Sequence, residues 1–102
     1  MKVLTEGHKY QLSGFENAEN TQEIQFIEKT PIEGTTELKT VNDGTTNEEL
    51  LEVLIDRMNY LQGKFPCREN AIVITKLQES LMWLEKRIAD RKKRNAEGKH
   101  IS

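Results

Sequence analysis

The residues best suited to chemistry are two arginines, Arg87 and Arg91, four positions apart in a stretch, 70–94, without glycine or proline. Residues three or four apart lie on the same side of an α-helix, so the two guanidinium groups would be stacked one turn apart. Each guanidinium presents a planar fork of N–H donors that fits two phosphate oxygens. The pair therefore predicts a site for a phosphate-bearing anion.

The arginines end a row of residues at helical spacing, which consists of Val73, Lys76, Ser80, Trp83, Arg87 and Arg91. An indole beside guanidinium groups suits a ligand that combines an aromatic ring with negative charge. The alternative interpretation is a solvated helix flank, because arginine stems commonly cover an apolar edge. Spacing alone leaves both interpretations open.

Three residues near the start of the same helix are further candidates. Tyr60 and Phe65 flank the break before the helix, where either ring could also pack in the core, and Asn70 could contact a purine edge. Asn70 and Arg87 are 17 residues apart, roughly 25 Å along a helix that rises about 1.5 Å per residue. If Asn70 and Arg87 share a ligand, the Asn70 end of one copy must meet the Arg87 end of another, in a two-fold dimer with two equivalent sites.

The sequence does not contain the residue sets of common enzymes. His8 and His100 are far apart, Cys67 is the only cysteine, and no glycine pattern of a phosphate-binding loop occurs. We therefore predict no catalytic residue, no metal site and no cofactor.

A single cysteine allows no intrachain disulfide and favours a reducing compartment. No apolar run reaches the length of a membrane span and no signal peptide is evident, so no membrane partner is predicted.

Charge is divided unevenly along the chain. Residues 1–46 carry four lysines and eight acids, whereas residues 47–102 carry eleven basic and nine acidic groups. Six positive charges and one negative charge fall within residues 86–94. The acidic first part would repel a polyanion, so a local anion site is favoured over a nucleic-acid polymer as partner. A nucleic-acid-binding helical module and a structural adaptor remain the alternative functions.

Two amphipathic helices are predicted to position these groups. Thr46 and Glu49 fit a capping box at the start of the first helix, and the break between the helices is predicted at 63–67. The apolar rows are Leu50, Leu51, Leu54, Met58 and Leu61 on the first helix, and Ile74, Leu77, Leu81, Leu84 and Ile88 on the second. A short connection between such helices favours an antiparallel hairpin whose long second helix ends near Gly98.

Before the helices, alternating apolar residues predict three strands, at His8–Leu12, Glu23–Lys29 and Glu37–Val41. Tyr10, Leu12, Ile24, Phe26 and Leu38 are the expected members of one buried face. The fold class predicted is α+β, a small antiparallel β-meander packed on an antiparallel helical hairpin with a long C-terminal helix. One domain is expected over 1–102, with the meander at 1–43, the hairpin at 44–98 and a tail at 99–102.

Several segments also resemble a known family. The hairpin of phage anti-defence nucleotide sponges is similar to Cys67-Arg68-Glu69-Asn70, Ile74-Thr75-Lys76-Leu77, Met82-Trp83-Leu84, Arg87 and Arg91. The upstream segments MKVLTEGHKY, IQFIEK, EGTTEL and TVNDGTTNEE extend the likeness to the Thoeris anti-defence sponges over nearly the full length. The related anti-CBASS sponges resemble the hairpin part alone.

This resemblance implies a non-enzymatic phage protein in the cytoplasm of the infected bacterial host. It would sequester glycocyclic ADP-ribose, the cyclic ADP-ribose-type signalling nucleotide of Thoeris immunity, without cleaving it. The implied partners are this nucleotide and further copies of the chain, as a homodimer or a hexamer. In the family that the chain resembles, some relatives assemble into hexamers and bind CBASS cyclic oligonucleotides at a separate interface.

The resemblance also implies roles for individual residues. Arg87 and Arg91 would hold the pyrophosphate, and Asn70 would contact a polar edge of base or ribose. Tyr60 or Phe65 would stack on adenine. Asp90 and Thr46 are the candidates for the ribose hydroxyls.

Overall fold

The computed structural model describes residues 1–101, with side chains described through Asn95. The chain divides into two compact units, Met1–Asn47 and Glu48–Ser102. Its elements are β1 (Lys2–Thr5), β2 (Lys9–Ser13), β3 (Thr21–Gln25), β4 (Glu28–Pro31), β5 (Leu38–Asn42), α1 (Asn47–Lys64) and α2 (Arg68–Ile101). The predicted α+β class is therefore confirmed.

The first unit contains two antiparallel sheets. Strands β1, β2 and β3 form a meander in that order, and β4 pairs with β5. Val3, Tyr10 and Ile24 are directly opposite one another across the meander, so they share one face. The Tyr10 ring meets the Phe26 ring edge to face at 5.9 Å between centroids. An apolar row thus crosses the small sheet.

The strand prediction was partly wrong. The predicted strand at 23–29 is two strands, β3 and β4, because the backbone changes partners at Phe26 and Ile27. There Phe26 N donates to His8 O and Ile27 N donates to Thr45 O. Strand β1 was not predicted. Leu38, expected on the buried face, is exposed, whereas the other four members are half-buried.

Gly44 lies against the backbone of Gln25 and Phe26, where β3 ends. We expect Gly44→Ala to lower the free energy of unfolding by roughly 1–3 kcal/mol. A Cβ here would overlap the Gln25 carbonyl and the Phe26 backbone, which cannot move cheaply. Urea unfolding followed by circular dichroism measures the effect.

Gly63→Ala is the matched control for Gly44→Ala. Gly63 lies within α1 with open space beside it, so the higher helix propensity of alanine should raise stability by about 0.5–1 kcal/mol. Equal changes in both variants would contradict the steric account.

The helices of the second unit show the predicted apolar rows with one exception. Ile74 is buried, with 9% of its surface exposed, and the other four residues of its row are half-buried. On α1, Leu54 is exposed and Ile55 is half-buried. The less exposed face of α1 therefore contains Ile55 in place of Leu54. Ile55 was not predicted as a member of this row.

Helix α1 continues past Gly63 to Lys64, so the connection has three residues, Phe65, Pro66 and Cys67. Helix α2 has 34 residues against 18 in α1. The bounds of α2 include residues 99–101 of the predicted tail, where no side chain is described. The domain limits stay a prediction.

Apolar exposure is high in the described part of the chain. Ile74 is the one buried apolar residue among the described side chains. Four aromatic side chains are exposed, namely Phe15, Tyr60, Phe65 and Trp83. Exposed aromatic rings are available to a ligand or to another chain.

Candidate functional site

A shallow groove of about 520 Å³ follows one face of α2. It is lined by Trp83, Lys86, Arg87, Asp90, Lys93 and Arg94. At 3.6 residues per turn, this face lies roughly 160° around the helix from the row that contains Ile74. All six residues belong to one helix, so the groove is open and a ligand there would need a second wall.

The groove carries a net positive charge of three, from two lysines, two arginines and one aspartate. Lys86 Nζ lies 2.8 Å from Asp90 Oδ2, which neutralises the carboxylate within the groove. Among the described side chains, no carboxylate lies within ion-pair distance of Arg87 or Arg91. The guanidinium of Arg87 is therefore free to bind an anion.

Arg91 is exposed on the same helix but does not line the groove. It is rotated about 40° from Arg87 toward the half-buried row, at 100° per residue. The two arginines thus flank a strip of surface between the groove and that row. Farther back in the predicted row, Lys76 pairs with Glu79 at 3.8 Å and Ser80 Oγ donates to Lys76 O.

At the N-terminal end of α2, the side chains of Gln62 and Asn70 form hydrogen bonds to the connection between the helices. Gln62 Nε2 donates to Cys67 O at 3.1 Å, and Cys67 N donates to Gln62 Oε1 at 3.0 Å. Asn70 is half-buried, its Nδ2 lies 3.5 Å from Phe65 O, and its backbone N–H contacts Cys67 Sγ at 3.4 Å. The connection therefore places Asn70 beside Phe65. Gln62 was not predicted from the sequence, because its spacing from Cys67 matches no recognised motif.

The two candidate rings near this connection face outward. Tyr60 and Phe65 are both well exposed, at 63% and 75%, so neither packs in a core, which was the alternative interpretation. Lys64 Nζ lies 5.7 Å from the centroid of the Tyr60 ring. Either ring is available to stack on a ligand.

The remaining candidates are Asp90 and Thr46. Asp90 lines the groove with Arg87, and Thr46 directly precedes α1, as the capping prediction requires. Lys93 and Arg94 also line the groove. They were not predicted as site residues, although their position within the basic run 86–94 could have identified them.

The described residues bring together no group of three or more side chains that could hold a metal ion. No helix in the described part of the chain is sufficiently long and apolar for a membrane span.

Comparison with known families gives a match that covers α1, the connection and the first part of α2. Residues 18–89 match the family model described as "Acb2/Tad1, hairpin domain", which is more than half of the chain. The match includes Tyr60, Phe65, Asn70 and Arg87. Asp90 and Arg91 lie just beyond it.

A similar curated protein is "Thoeris anti-defense 1" of Bacillus phage SBSphiJ7. It is 52% identical over 59 residues, which make up 57% of this chain and 42% of that protein. The aligned part thus spans about two fifths of the length of the relative.

Proposed function

The chain belongs to the Acb2/Tad1 hairpin-domain family, and from this premise we propose that it captures a cyclic ADP-ribose-type nucleotide, glycocyclic ADP-ribose. Capture would withhold the signal of Thoeris immunity in the cytoplasm of the infected host. The relative whose name contains "Thoeris anti-defense" supports the biological setting.

The observation that carries the proposal is the free guanidinium of Arg87 in a positively charged groove that also contains an indole. Arg91 adds a second exposed guanidinium one turn farther along α2. Charge-assisted hydrogen bonds from two forks would hold the two phosphates of the nucleotide. Asp90, within reach of the same groove, would accept hydrogen bonds from ribose hydroxyls, and Thr46 is the second candidate for that role.

Enclosure of the ligand would require a second copy of the chain. Asn70 is roughly 25 Å from Arg87 along α2, and the groove is open on its outer side. We propose an antiparallel pairing in which the Asn70 end of one copy meets the Arg87 end of the other. Asn70 and either Tyr60 or Phe65 of the second copy would then complete the site, and symmetry would give two sites per dimer. Hexamers and a second site for cyclic oligonucleotides stay predictions.

We propose capture without cleavage, because no catalytic residue set is evident in the sequence, and we expect the bound ligand to be recovered intact. Purified protein is mixed with glycocyclic ADP-ribose, washed by filtration and heat-denatured, and the released nucleotide is identified by mass spectrometry. Ligand that is retained and released unchanged supports the proposal. Ring-opened ADP-ribose in the released fraction would instead show an enzyme, and ligand lost in the wash would contradict capture.

The basic run at 86–94 favours a second candidate, a nucleic-acid-binding module. Such a module would bind DNA or RNA of any sequence with an affinity that falls steeply with salt. A gel-shift titration with single-stranded and double-stranded oligonucleotides at two salt concentrations separates the candidates. Nucleotide capture predicts no shift at concentrations that saturate the small ligand.

A further inference from the structure

Trp83 is an exposed aromatic side chain to which the family-based assignment gives no role. It is the only tryptophan of the chain, and 57% of its surface is exposed. It lies on the face of α2 opposite the half-buried row. A large indole directed away from the helix's own packing surface is available to a ligand.

Distance along the helix connects Trp83 with Arg87. The two residues are four positions apart and line the same groove, so one turn, roughly 5–6 Å, separates them. In a nucleoside diphosphate, one sugar separates the base from the phosphates. A phosphate on Arg87 would therefore place the base beside Trp83, whereas Phe65 of the same chain is roughly 30 Å away along the helix axis.

The charges of the groove favour an anion in this position. Lys86 holds Asp90 at 2.8 Å, so this carboxylate is already neutralised by its own partner. Arg94 adds a further guanidinium to the same groove. An indole face and guanidinium groups, which have no ion-pair partner among the side chains described through Asn95, therefore lie within three turns of one helix. Together they suit a ligand that combines an aromatic ring with negative charge.

We propose that Trp83 stacks on one face of the base of the bound nucleotide, next to the phosphate held by Arg87. This inference rests on the proposed function and adds a ring to it. The other face of the base would remain for Tyr60 or Phe65 of the second copy. The base would then be enclosed between two aromatic side chains, one from each copy.

The single tryptophan provides a direct test. Glycocyclic ADP-ribose is titrated into the full-length protein while tryptophan fluorescence is recorded, and affinity is measured independently by calorimetry. We expect saturable quenching in the wild-type protein and a roughly 10-fold or greater loss of affinity in Trp83→Leu. Trp83→Phe should restore most of that affinity because a ring is restored. Phe15→Leu, which removes an exposed ring in the first unit, should have no effect.

The outcomes separate this inference from the proposed function. Unchanged affinity in Trp83→Leu, together with lost affinity in Arg87→Ala, would overturn the stacking role and leave nucleotide capture in place. A wild-type protein that does not bind the nucleotide would overturn the proposed function and this inference together. Circular dichroism of Trp83→Leu and Trp83→Phe must match the wild type, and equal loss of affinity in both variants would also contradict stacking by a ring.

Discussion

Replacement of both Arg87 and Arg91 by alanine is expected to weaken the binding of glycocyclic ADP-ribose by at least about 100-fold. Hydrogen bonds to charged groups contribute about 1.5–3 kcal/mol each, and the variant removes two forks. Both side chains are exposed and have no ion-pair partner among the described side chains. Their removal should therefore leave folding intact. Isothermal titration calorimetry measures the change in Kd, and circular dichroism verifies the helix content.

A charge-matched control for the arginine double variant separates the loss of direct contacts to the ligand from the loss of overall positive charge. Lys29→Ala combined with Lys39→Ala removes the same two charges from the exposed surface of β4 and β5. We expect less than about a threefold change in Kd, since neither lysine lines the groove and the field of exposed charges is screened by salt. Equal losses in the two double variants would show that overall charge, rather than a clamp of two guanidinium groups, determines affinity.

Ile74→Ala is expected to lower the free energy of unfolding by about 2–4 kcal/mol, the range for removal of a well-buried aliphatic side chain. Ile74 is the buried apolar residue of the described chain and lies in the half-buried row of α2. For a chain of this size, the loss corresponds to a Tm roughly 10–20 °C lower. Thermal and urea unfolding, each at fixed protein concentration, measure it.

Ile72→Ala provides the same chemical change two residues earlier on the same helix. Ile72 is 46% exposed, so its removal should cost less than about 1 kcal/mol of unfolding free energy. If the two variants were equally destabilised, the outer face of α2 would be buried in the protein in solution. That result would place an interface on this face.

The helices were predictable from sequence because their signals are local and repeat. Ile74, Leu77, Leu81, Leu84 and Ile88 recur at helical spacing, and Ile74 is buried and the other four are half-buried, as the amphipathic pattern predicts. Leu54 was assigned wrongly because Leu54 and Ile55 both lie near the edge of the row, and spacing cannot decide between neighbours. Gly63 was taken as a break, although helix α1 tolerates it with no steric conflict.

The strands were harder to predict because their limits depend on partners far along the chain. The residues 23–29 read as one strand, but Thr45, some twenty residues later, bonds to both Gln25 and Ile27 and divides it. Exposure of Leu38 likewise depends on pairing in a separate two-stranded sheet. No short pattern contains such information.

The residue types of the candidate site could be predicted from the sequence, but which of these residues line one groove could be predicted only in part. Helical spacing placed Trp83 with Arg87, which line the same groove, but it also included Arg91, which does not. The resemblance to the Thoeris anti-defence sponges is confirmed by the family match and the relative from a Bacillus phage. The ligand contacts of the seven candidate residues stay predictions, because they depend on how a second copy approaches.

The hydrogen bonds of Gln62 to the three-residue connection would affect the thermodynamics of the proposed nucleotide capture. Two hydrogen bonds to Cys67 and the contact of Asn70 with Phe65 already restrict this segment in the free chain. Little conformational entropy would then be lost when a metabolite arrives, and more of the contact energy would appear as affinity. Such preorganisation would suit the proposed removal of a scarce messenger, in which each copy of the protein holds its ligand and does not turn it over.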